Sequence, residues 1–313
     1  MKIVTLTLNP AFDIHCYTDC FMPHHENLAR ITDMEAGGKG VNISRALVQN
    51  GVENLCLVVL GEENAEGFRR KLENDGIAYA AIMAEGRIRE NITLHEKDAD
   101  ETRISFAGFR ADASLLPKVE ALLSEHLDEG GFVTFTGRVP EGLDMVDVKA
   151  FLRRLQAKGA KIVIDSRSFS LSDLIEMRPW LIKPNQEEIS AYLERPIKSL
   201  EETVAAAKDL YEKGIENVMI SLGAQGALLV SDEGVFSAVP PKIEALSTIG
   251  AGDSSIAGFL SAAVEGKNGE ARLCRGVAYG TAACMTSGTR PPEAEDVKAV
   301  LPRIVSKLMG ESR

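Results

Sequence analysis

The sequence predicts an α/β fold: a mostly parallel sheet with helices on both faces and a small antiparallel flap set into it. Three observations carry this. Short β-rich runs alternate with helical runs of 10 to 15 residues, the mark of βαβ units. Two consecutive β-rich runs near the C-terminal third, "GALLVSD" and "GVFSAVP", have no helix between them and predict an antiparallel edge. Two segments, 27–36 and 88–109, break the rhythm with alternating polar and apolar residues.

In chain order, strands are expected at "KIVTLTL" (2–8), "NLCLVVL" (54–60), "FVTFTG" (132–137), "KIVIDS" (161–166), "WLIKP" (180–184) and "NVMISLG" (217–223), followed by the edge pair at 226–232 and 234–240. Helices are expected over 41–50, 65–75, 146–158, 200–213, 253–265 and 271–286. The segment 88–109 places a turn, "EKDADE", between two strand-like halves. A flap over the carboxyl ends of parallel strands is where a ligand lid sits. With no repeat, low-complexity tract or linker, residues 1–313 read as one domain, its lid formed from about 13–36 and 87–109.

Composition excludes several classes. The formal net charge is −11 and the pI about 5.1, which argues against nucleic acid or a membrane surface as partner. No apolar run approaches the roughly 18 residues of a membrane helix. The start, "MKIVTLTLNPAFD", reads as a strand and not a secretion signal, so a cytoplasmic protein is expected. Five scattered cysteines suit a reducing compartment without a disulfide framework. His15, Cys16, Cys20, His24 and His25 crowd one stretch, but their spacing matches common zinc sites poorly.

Two glycine motifs carry the chemistry. In "TIGAGDSSIAGFL", Gly250, Ala251 and Gly252 precede an apolar helix that begins near Asp253. Free amides at a helix N-terminus, with its positive dipole end, hold an anion. Asp253 there is either a plain N-cap or a base beside a bound phosphate. In "EAGGKGVNISRAL", Gly37, Gly38 and Gly40 surround Lys39 ahead of a helix carrying Asn42. The spacing is neither a Walker A loop nor a dinucleotide fingerprint. What remains is a close-approach loop with one cation and one amide, suited to sugar hydroxyls or a single phosphate.

With "TLTLNPAFD", "GGKGVNISRAL", "KPNQEEI", "SLGAQGAL", "TIGAGDSSIAGFL" and "GTAACMTSGT" in order, the chain resembles the PfkB/ribokinase family of sugar kinases nearly end to end. Within that family it resembles the 1-phosphofructokinase and tagatose-6-phosphate kinase branch. The resemblance implies a three-layer α/β/α ribokinase-like core and an ATP- and Mg²⁺-dependent kinase of a sugar phosphate. It implies Asp253 as general base, with the Gly250, Ala251 and Gly252 amides as anion hole. It puts the sugar against Asp13, Gly38, Lys39 and Asn42, with Arg89 toward the substrate's own phosphate. ATP falls to Lys183, Asn185, Ser221, Gly223, Gly226 and the helix near Thr281, and Mg²⁺ to Glu188, acting through water.

The chain departs from the branch at "TGRVPEG", where Arg138 replaces a small hydroxyl residue, and Arg167 adds a cation after another strand. Both are expected to enlarge or relocate the anion pocket. Two other readings stay open: a kinase of an unphosphorylated sugar, nucleoside or sugar acid, and a catalytically silent sugar- or nucleotide-binding regulator. Asp253, Lys183 and Glu188 count against the regulator. The flap's free edges suit pairing with a second copy, so a homodimer through the lid is expected.

Overall fold

A computed structural model describes residues 2–97 and 101–311. Among them, strands are β1 (Ile3–Thr7), β2 (Ala11–Thr18), β3 (Arg30–Gly37), β4 (Leu55–Gly61), β5 (Tyr79–Ala84), β6 (Arg89–Glu96), β7 (Thr102–Ser105), β8 (Phe132–Thr136), β9 (Lys161–Asp165), β10 (Leu181–Ile182), β11 (Asn217–Ser221), β12 (Ala227–Ser231), β13 (Gly234–Val239) and β14 (Val305–Gly310). Helices are α1 (Lys39–Gln49), α2 (Ala65–Asn74), α3 (Leu115–His126), α4 (Met145–Ala157), α5 (Leu171–Met177), α6 (Gln186–Tyr192), α7 (Leu200–Glu212), α8 (Ala251–Val264), α9 (Gly269–Ala283) and α10 (Ala294–Val300).

The main sheet runs β14-β13-β12-β11-β10-β9-β8-β1-β4-β5. From β5 to β11 every pairing is parallel, and β11 to β14 are antiparallel. This is the expected doubly covered sheet with its antiparallel edge. β1 divides its side chains between the layers: Val4 and Leu6 join α3 and α4 residues such as Val119 and Phe151, while Ile3 joins Ile43, Leu47 and Phe259 from α1 and α8. Trp180 packs against Phe132 and Phe259, ring centres 4.7 and 5.8 Å away, and ties β8 to α8.

The flap is a second sheet, ordered β3-β2-β6-β7. Its outer pairings are antiparallel, but the central β2–β6 pairing is parallel, because β2 and β6 both leave the main sheet in the same direction. The centre of the expected "EKDADE" turn, 98–100, lies outside the described residues. Helix α3 was not expected: Pro117 falls in its first turn, where a missing N–H leaves no bond unmade. No described helix is long and apolar enough to cross a membrane.

Candidate active site

Register in the parallel strands builds the site. Ile164 lies opposite Ile182, and Thr136 opposite Asp165. The residues ending β8, β9 and β10 therefore emerge together: Arg138 just past β8, Asp165 closing β9, Lys183 just past β10. Carboxyl ends of parallel strands are where open α/β sheets bind ligands. Helices α1 and α8 pack on each other above this edge.

The helix over Asp253 begins earlier than expected, at Ala251, so Asp253 is in its first turn and is not the N-cap. Gly250 holds that position at φ 78°, a left-handed conformation that glycine adopts without steric cost. It has no side chain to cap the turn. The Ala251 amide reaches the Thr248 carbonyl only at 3.5 Å, and no acceptor among the described residues meets the amides of Gly252 and Asp253. These are free donors at the positive end of a 14-residue helix. Lys183 stands beneath them, 5% exposed. Its Nζ is 3.1 Å from where a Cβ on Gly252 would lie. No hydrogen bond among the described residues engages this ammonium. Asp165 balances its charge but leaves its N–H donors unmet, which is costly in a buried place, and an anion at the α8 amides would satisfy them.

The Asp253 carboxyl is 7% exposed, yet its surroundings are polar. Asn42 Nδ2 donates to Oδ2 at 2.9 Å. Burial pushes the carboxyl up to about 6; Asp165 adds to this, while Lys39, Asn42 and Lys183 oppose it. Lys39 Nζ donates to Asp165 Oδ2 at 2.7 Å. Burial alone would pull this ammonium down, but Asp165 and Asp253 outweigh it and hold Lys39 above an ordinary lysine. Asp165 is the converse: burial would raise it, and Lys183 and Lys39 together hold it below the usual carboxylate range.

The lid supplies the facing wall. Asp13 and Asn91 are register partners across β2–β6, and Asn91 Nδ2 donates to Asp13 Oδ1 at 2.8 Å. Burial raises the Asp13 carboxyl, with the Asn91 bond opposing. Its other oxygen lies where a Cβ at Gly37 would be, only 2.0 Å away, so this approach requires glycine. Gly38 then caps α1. Under the lid is a cavity of about 140 Å³ lined by Asp13, His15, Asn91, Arg103, Ile249 and Thr289. Arg89, also on β6, is depressed by burial and next by Arg138, with Asp13 opposing; its buried Nε has no partner. Arg89 thus stands between Asp13 on one side and the charge of Arg138 on the other.

On the opposite side, Asn185 and Glu188 form a capping box on α6: Asn185 Oδ1 accepts from the Glu188 amide at 2.7 Å, and Glu188 Oε2 from the Asn185 amide at 3.1 Å. Ser221 bridges to Asn185. The turn Gly223–Gln225 is exposed, Gly226 is buried behind it, and Thr281 is buried on α9, which packs along α8.

The pfkB carbohydrate kinase family matches residues 7–296. This chain belongs to the pfkB family of carbohydrate kinases. A pfkB kinase is a phosphotransferase that uses ATP and a carbohydrate acceptor. The chain is 30% identical to 1-phosphofructokinase of Escherichia coli K12 over 97% of both chains. It is 32% identical to 1-phosphofructokinase of Bacillus subtilis over 96% of this chain and 98% of that one. Its fold superposes on Escherichia coli phosphofructokinase-2, solved with substrates and products, with a TM-score of 0.90 at 27% identity, covering 96% and 99% of the two chains.

Against this pfkB framework the expected site residues fall into three groups. Asp253, the Gly250–Gly252 turn, Lys39, Asn42 and Lys183 converge at the α8 terminus. Asp13, Gly38, Arg89 and Arg138 line the lid side, and Asn185, Glu188, Ser221, Gly223, Gly226 and Thr281 the other. Arg167 does not converge on Arg89: its Nε donates to Glu188 Oε1 at 3.0 Å. The crowded His15–His25 stretch does not converge either. His15 pairs instead with His95, 3.0 Å away, and no group of three or more metal-binding side chains occurs among the described residues. Sequence reasoning passed over Asp165 as a site residue. A carboxylate closing a parallel strand at the ligand-binding edge was the available signal.

Proposed function

We propose that the protein uses ATP to phosphorylate a hydroxyl of a sugar monophosphate, of the fructose 1-phosphate, fructose 6-phosphate or tagatose 6-phosphate type, giving a bisphosphate. The observation that carries this is Arg89, which faces Asp13 and feels the charge of Arg138. An acceptor already bearing a phosphate would pair with both guanidiniums, which bind phosphate oxygens through planar forks. The name 1-phosphofructokinase on the relatives agrees with this reading.

In this mechanism Asp13 and Asn91 hold sugar hydroxyls, and the acceptor hydroxyl points at Asp253. As its oxygen attacks the γ-phosphorus, its proton passes to Asp253 and the bond from that phosphorus to the bridging β-phosphate oxygen breaks, so that ADP leaves. The charge spreading over the transferring phosphoryl is met by the amides of the Gly250–Gly252 turn, with that of Asp253 beside them, and by Lys183. Phosphoryl transfer depends mainly on such positioning and neutralisation. Lys39 keeps Asp165 ionised and the edge ordered. Asn185, Ser221, the Gly223–Gly226 turn and Thr281 line the nucleotide's path.

Each Glu188 oxygen accepts one hydrogen bond, from Arg167 and from the Asn185 amide, and keeps a further lone pair, so Glu188 would hold a Mg²⁺ ion through its water shell. That ion would supply charge neutralisation to the bound phosphates. The reading takes 1–313 as one kinase unit with the four-stranded sheet as lid. It includes a homodimer through that lid, where Leu28 is 93% and Ile31 63% exposed; sedimentation that finds only monomer removes the dimer.

The test is a panel of free and phosphorylated sugars with ATP, followed by ADP formation, for the parent and Arg138→Ser. Phosphorylated sugars are expected to turn over preferentially, with their KM rising about 3- to 10-fold in the variant, the scale of one partly exposed charged contact. An unchanged preference order and unchanged KM values would separate Arg138 from the substrate. Preference for free sugars would overturn the sugar-phosphate assignment.

A further inference from the structure

Arg45 touches neither the cavity nor the phosphoryl path, yet it is buried on α1 and bonded to three elements. Its Nε donates to Asp75 Oδ2, just past α2, at 2.9 Å. Its Nη2 donates to the Ala36 carbonyl on lid strand β3. Its Nη1 donates to Asn42 Oδ1 at 3.2 Å. Asn42 in turn donates through Nδ2 to Asp253 Oδ2.

An asparagine amide has one end that accepts and one that donates, and alone it could face Asp253 either way. A guanidinium has only donors. Facing Arg45, Asn42 must present its oxygen there and its NH₂ to Asp253. We infer that Arg45, anchored by Asp75, is a positioning residue that locks the Asn42 amide in its donating orientation, so that Asp253 keeps Oδ2 engaged and Oδ1 for the acceptor hydroxyl. Among the described residues nothing bonds to Oδ1. The lock also ties the base to the lid, because the same guanidinium holds the end of β3.

The inference rests on Asp253 being the base. The charged groups facing Asp253 are Lys39 on α1, Asp165 on β9 and Lys183 beyond β10. Those around Arg45 are Asp33 and Glu35 on β3, Lys71 on α2, Asp75 and Arg290, which share a cavity with it. None of them hydrogen-bonds to Asn42.

The experiment compares the parent, Arg45→Met and Arg45→Met in an Asn42→Ala background. It reads kcat against pH and, separately, the titration of the Asp253 carboxyl by ¹³C NMR of the nucleotide-free protein. Loss of the lock is expected to move both midpoints upward by about half a unit to one unit, since a hydrogen bond to the charged form favours it. The kcat at pH 7 should fall up to about 2-fold as the ionised fraction drops, with little change in the ATP KM. In the Asn42→Ala background Arg45→Met should move neither midpoint further. Should Arg45→Met not accumulate folded, Arg45→Lys, whose ammonium also only donates, is measured in its place and is expected to keep the parent midpoints, so that an upward shift in it counts against the lock. An unmoved NMR midpoint in folded Arg45→Met, or the same shift without Asn42, overturns the lock. A carboxyl that shifts by NMR while the kinetic limb stays put leaves the lock standing and overturns Asp253 as base.

Discussion

Replacing Asp253 with asparagine is expected to lower kcat at least ~100-fold while ATP affinity stays within about 3-fold, the scale of losing a general base. The substitution keeps the shape of the side chain and an oxygen to accept from Asn42, so the α8 turn and its free amides should persist. In the parent, kcat should rise with pH through a midpoint at about 6, where burial has placed this carboxyl, because only the ionised form accepts the hydroxyl proton. The variant should lack that limb. Stability moves the other way. Below about pH 4 the carboxyl is protonated in both folded and unfolded chains and Asp253 costs nothing. As pH rises from the ordinary carboxylate value through about 6, the unfolded chain ionises first, and the fold loses stability of order 3 kcal/mol. Asp253→Asn should therefore melt higher than the parent at pH 7.5 and equally at pH 4. Near-normal turnover in the variant would remove the base from the mechanism; equal melting at both pH values would show that the carboxyl is not strained by burial.

Lys183→Met should lower kcat by about 100- to 1,000-fold, the range found when one preorganised donor to a developing charge is removed. Methionine fills the channel that the lysine stem occupies, so packing against β10 and Gly252 is retained and the loss reports the ammonium. The effect should be concentrated in kcat and not in the ATP KM, because Lys183 faces the first α8 amides, where charge builds only during transfer. Steady-state kinetics with melting curves make the check. An unchanged kcat with a raised ATP KM would move Lys183 from the transferring phosphoryl to the resting nucleotide.

Much of the scaffold was legible because it is encoded locally. Apolar runs such as "NLCLVVL" and "FVTFTG" have no other stable place than a covered sheet, and β4 and β8 sit there. "GALLVSD" and "GVFSAVP", too close for a helix between them, became the antiparallel β12–β13 pair. The elements that escaped were marginal ones. Helix α3 carries a proline in its first turn, α5 and α6 are 7 residues each, and β14 forms only by pairing with β13. The segment "KPNQEEI" illustrates the limit differently. Its Asn185 and Glu188 cap α6, and that capping holds one Glu188 oxygen against the Asn185 amide, a constraint that exists only once the helix has formed.

From the sequence alone came the alternating architecture and the anion-holding glycine turn ahead of α8, because turn geometry, helix dipoles and apolar periodicity act over a few residues; the kinase chemistry came from the resemblance of six ordered motifs to the pfkB family. Partnership between distant residues was decided only by the fold. Asn42 and Asp253 meet because α1 packs on α8, and Lys183 reaches Gly252 because β10 ends in register with β9. Arg89 feels the charge of Arg138 while Arg167, also just past a strand, is claimed by Glu188. Charge pairing depends on separation in space and on burial, and a linear order of residues carries neither.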